Sequence, residues 1–142
     1  MTKTLRLINI PVILFILAFT HAALAQSKTY PYGPELVELT GIIQKATFYG
    51  PPNYGEDPKN DTKENILVIV LNEPININSK SDIDFNIPLK DIKRLQIIPH
   101  DLSKQLNQLI NKQVKLKGTL MGAQTGHHHT EALIQLKQIE RI

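Results

Sequence analysis

The chain has 142 residues, with 16 basic and 13 acidic side chains, 9 prolines and no cysteine. That length suits one domain once a leader is removed, and the lack of cysteine excludes a disulfide framework and a lipid-acceptor cysteine. The first 25 residues hold two of the bases, Lys3 and Arg6, and no acid, so residues 26–142 carry 14 bases against 13 acids. A segment so near neutrality lacks the electrostatic footprint of a non-specific nucleic-acid binder, and nucleic acid is not an expected partner.

Residues 1–25 read as a secretory signal peptide. Lys3 and Arg6 make the basic n-region, residues 7–19 an apolar run interrupted by Asn9 and Pro11, and Ala23 and Ala25 the small-residue cleavage pattern. Cleavage is expected after Ala25. The apolar run falls short of the about 20 residues a spanning helix needs, so no stable membrane anchor is expected and the address is periplasmic or secreted. Residues 26–34, polar and bearing Pro31 and Pro34, are expected to be an N-terminal arm without regular structure.

Residues 35–49 are apolar and β-branched and predict a long first strand, with Gly41 marking a bulge or tight bend. Residues 50–63 are dense in glycine, proline, asparagine and aspartate and predict a loop. The run Ile66 to Leu71 predicts a buried strand over 64–71, ended by Pro74. Residues 72–84 read as an irregular excursion with a short strand at 75–77, and a strand resumes over 92–98 until Pro99. Over 101–111 the period changes: Leu102, Leu106, Leu109 and Ile110 mark one face of an amphipathic helix with Asp101 or Ser103 as N-cap. Residues 113–121 alternate, with Val114, Leu116, Gly118 and Leu120 on the apolar face. A turn at 122–130 leads to a last strand over 132–139.

Three strands, a helix and two strands, with a glycine in the first strand, make the element order of the OB-fold. The expected architecture is mainly β: a small five-stranded OB-like barrel over residues 35–142 with one helix between strands 3 and 4.

The candidate site is Gly126-His127-His128-His129-Thr130. In an extended chain side chains alternate, so His127, His129 and Glu131 would share a face. Two imidazoles and a carboxylate form a ligand set for zinc or another divalent transition metal, the one cofactor the sequence suggests; the competing reading is a solvated turn. In an OB-fold the loops joining strands one to two and four to five lie beside the binding face. His127, His128 and His129 would then face Tyr49, Asn53 and Tyr54, which offer stacking and hydrogen-bonding groups to a ligand.

Tyr32-Gly33-Pro34-Glu35, Gly50-Pro51-Pro52-Asn53-Tyr54-Gly55, Gly118-Thr119-Leu120 and Thr125 to Thr130 together resemble an uncharacterised bacterial exported family, domain of unknown function 4431. The resemblance implies an exported bacterial domain and carries no activity or catalytic residues. Other signals are weaker. Asn60-Asp61-Thr62 fits a glycosylation pattern. Lys90, Lys93 and Arg94 form a basic patch that usually means a solvated strand edge. Glu56, Asp57 and Asp61 cluster in the first loop, where acids are usually solvated. Ser79, Ser81 and Ser103 sit in no nucleophile elbow.

The expected function is an exported binding module for a small ligand or an envelope or protein partner. The alternatives are a metal-dependent hydrolase of zinc type using His127, His129 and Glu131, and an inhibitor or immunity-type partner protein.

Overall fold

The computed structural model describes residues 27–79 and 85–142. The signal peptide expected over 1–25 lies outside the described residues, as does the latter part of the expected 72–84 excursion.

Six strands form: β1 (Lys28–Pro31), β2 (Val37–Tyr49), β3 (Lys63–Asn78), β4 (Leu89–Ile98), β5 (Gln113–Gly122) and β6 (Ala132–Arg141). A 3-10 turn at His100–Leu102 and the helix α1 (Ser103–Gln108) stand between β4 and β5. β2 to β6 close a barrel: β3 pairs antiparallel with β2 and β4, β5 antiparallel with β2 and β6, and a parallel β4–β6 seam completes the ring. The expected OB-like barrel is thus present, with α1 between the third and fourth barrel strands.

Burial alternates along β2 from Val37 to Ile43 and along the whole of β5, where Val114, Leu116, Gly118 and Leu120 face inward. Each fully buried leucine or isoleucine contributes roughly 1.5–3 kcal/mol. β2 serves two neighbours. Its first half pairs with β5 and its second with β3, and the two ladders overlap at Gly41 and Ile42. Gly41 is no bulge, since it is paired in both ladders, with Val114 of β5 and Leu71 of β3, and neither register shifts there. It is needed for close approach: a Cβ there would lie 2.2 Å from the Val70 carbonyl oxygen.

Five expectations change. Residues 28–31 of the arm form β1, which pairs parallel with Ile75 to Asn78, and Tyr32 behind it is buried and donates its hydroxyl to the Ile87 carbonyl at 2.8 Å. Pro74 does not end the second barrel strand. β3 runs on to Asn78, because the β3–β4 register shifts between Val70 and Ile75 and a proline there breaks no ladder bond. β4 begins at Leu89 rather than 92. The helix is half the expected length. Asn111 takes a left-handed conformation, φ 61, and its N–H donates to the Ile43 carbonyl at 2.8 Å, so docking onto β2 draws the chain out of the helix. Neither Asp101 nor Ser103 makes a side-chain cap, and the α1 N-cap position is Leu102. Leu106 is fully buried, with Leu102, Leu109 and Ile110 packed around it as a plug on the barrel.

Candidate functional site at the facing loops

The loop between β2 and β3 is a folded structure. Its neck is closed by Gly50 N–H to the Thr62 carbonyl and Thr62 N–H to the Pro51 carbonyl, both 2.9 Å. Asp61, buried, accepts the N–H of Asn53 at 2.8 Å and of Gly55 at 2.6 Å. Burial pushes its carboxyl up, but bonds from the backbone of Gly55, Asn53 and Asp57 and from the Asn53 side chain prevail and hold it below its usual value. Of the acids grouped in this loop, Asp61 is therefore a keystone. Asn53 belongs to the same internal network. Tyr49 lies beneath it, with the Lys63 ammonium 3.8 Å from its ring centroid. Tyr54 stays on the surface, 42 % exposed.

The loop between β5 and β6 is pinned by a side chain the sequence reading did not single out. Gln96 on β4 is buried, and its amide accepts the His129 N–H at 2.8 Å and donates to the His127 carbonyl at 3.1 Å. Its backbone N–H donates to the Thr130 hydroxyl at 2.8 Å, which donates to the Ala132 carbonyl at 2.7 Å. The parallel β4–β6 seam starts at Gln96 and Leu133, so Gln96 carries that pairing one step into the loop.

The two loops meet at Glu64, the second residue of β3 and also missed. One carboxylate oxygen is 2.8 Å from His127 Nδ1 and the other 2.7 Å from His129 Nε2. A carboxylate only accepts, so both imidazoles donate. The His129 bond is the main cause holding the Glu64 carboxyl below its usual value; partial burial opposes it, and the His127 bond and the charges of both rings add to it. His129 stacks on Phe48, centroids 4.8 Å apart at 12°, and only 7 % of its side chain is exposed. His127 is 61 % exposed and meets the Tyr54 ring edge-on at 5.7 Å. Gly126 permits that meeting, because a Cβ there would sit 2.6 Å from Tyr54 Cζ.

The structure thus brings His127, His129 and Tyr54 together and gives His128 a different task. Its Nδ1 accepts the Gln124 N–H at 2.9 Å, and burial first, then the charges of His127 and His129, push its pKa down, so it serves the turn as a neutral ring. Glu131 does not join the imidazole pair on Glu64. Residues 127–131 are not a strand: His127 lies in a turn, Thr130 and Glu131 in bends, and β6 begins only at Ala132, so the regular alternation that would have put Glu131 on their face does not apply. The nitrogens left to a metal are Nε2 of His127 and Nδ1 of His129. Among the described residues no group of three or more His, Asp or Glu side chains is arranged to share one ion.

The family model described as Domain of unknown function (DUF4431) matches residues 94–140. The DUF4431 match runs from the second half of β4 through β6, and so contains Gln96, Gly118 to Leu120 and Thr125 to Thr130. The residues quoted from the arm and the first loop lie outside it. No curated protein and no solved structure matches the chain.

Proposed function

We propose that the chain is an exported binding module that engages a small ligand or an envelope protein partner through the surface where the two loops meet. The observation that carries this reading is the Glu64 clamp beneath Tyr54 and His127. The acids at the site, Glu64 and Asp61, spend both oxygens on groups of the protein itself, so they hold shape. What they hold up is an exposed aromatic ring and an exposed imidazole on a preformed base, which is the economy of a recognition surface: side chains ordered before binding lose little freedom on binding.

Tyr54→Ala and His127→Ala test it. Tyr54→Ala is a surface change expected to alter stability by about 0.5 kcal/mol. His127→Ala also removes one bond to Glu64 and is expected to cost about 1–1.5 kcal/mol. Both are expected to leave the protein folded and to abolish capture of the partner from an envelope extract by immobilised protein. Capture that persists unchanged in both variants rejects this surface. His129→Ala is the wrong probe, because that ring is packed on Phe48 and its loss would disturb the fold.

A further inference from the structure

Beside the second loop lies a cleft of about 420 Å³, lined by Asp91 to Arg94 of β4 and His129 to Glu131, a volume within the range of small-ligand sites. The basic patch noted in the sequence opens into it. The Arg94 guanidinium stands 5.6 Å from the Phe48 ring centroid, a contact that leaves its N–H donors unspent. Among the described residues neither Arg94 nor Lys93 joins an ion pair. The opposite wall is rigid: His129 is stacked and bonded to Glu64, and Thr130 is locked by Gln96 and Ala132. Asp91 and Glu131 line the same cleft. Their carboxylates can accept hydrogen bonds from ligand hydroxyl groups.

We propose that this cleft is a subsite for a small hydroxylated ligand carrying one oxyanion, the chemistry shared by a sugar acid and a sugar phosphate. Arg94 and Lys93 take the oxyanion, Arg94 by the fork geometry suited to carboxylate and phosphate oxygens. Asp91 and Glu131 take hydroxyls. The site lies off the Tyr54–His127 surface and shares with it only the His129 wall.

An amide NMR titration of the isotope-labelled protein with glucuronate, glucose 6-phosphate and glucose tests it. Saturable shifts at Lys93, Arg94, Thr130 and Glu131 with either acid, and none with glucose, are the expected result, and the acid that gives them distinguishes carboxylate from phosphate. Arg94→Gln is expected to weaken binding about tenfold, Lys93→Gln to weaken it as well, and Lys117→Gln, on β5, to leave it unchanged. No saturable shift with either acid, equal shifts with glucose, or full binding by both Arg94→Gln and Lys93→Gln would overturn the proposal. Tyr54→Ala is expected to keep the acid-induced shifts while losing partner capture, so either reading can fail without the other.

Discussion

Glu64 is a single carboxylate holding two side chains of a loop more than sixty positions away in sequence. Because its folded-state pKa is depressed, its contribution to stability is fully present above the unfolded carboxyl value of about 4.3 and is lost as the pH falls from there through the lower folded value. Thermal unfolding of wild type and Glu64→Ala should therefore differ by a constant amount near neutrality and converge as the pH is taken below about 4.3; a gap that stays open in acid contradicts the clamp. The histidine cluster was legible in the sequence because three adjacent imidazoles are conspicuous. Their partner was not. Glu64 reads as an ordinary strand-entry acid until the hairpin register sets it opposite Phe48, and Gln96 reads as a polar break in an apolar strand until its amide is seen to bridge two backbone groups of one loop.

At the level of elements, the two loops behave as one part because glycine allows contact between them. Gly126→Ala places a methyl group against the Tyr54 ring, and that exposed ring can swing away. The expected outcome is a stability change within about 0.5–1 kcal/mol together with loss of the Tyr54–His127 contact, read as altered Tyr54 ring and His127 imidazole signals in NMR spectra; unaltered signals would show that the loops do not touch. Elements with a regular apolar period were read correctly from sequence, β5 most completely, since alternation is itself the signal of a half-buried strand. Boundaries set by tertiary contacts were not. Pro74 looked like a stop because its tolerance in β3 depends on a register shift against β4, and the helix looked long because Leu109 and Ile110 keep helical spacing while the chain is already turning toward β2.

For the molecule as a whole, the barrel needs both its ring of strands and the plug below it. Leu106→Ala removes a fully buried side chain and should cost about 2–5 kcal/mol of a total of roughly 5–15 kcal/mol, measured as a lower urea midpoint with unchanged slope. Loss of well under 1 kcal/mol would mean that α1 is not part of the core. The OB-like order was readable because one helix among five strands, placed after the third, leaves few ways to close a small sheet. The closure itself has a consequence in time. The β2–β5 and β4–β6 seams join segments far apart along the chain, and contacts of that kind form slowly. A chain emerging N-terminus first can build the β2–β3 hairpin with its loop, but until β6 arrives the sheet has an open edge of the kind that invites mispairing, and Glu64 has no imidazoles to hold. The surface between the loops therefore cannot form until the second loop, residues 123–131, has joined the chain.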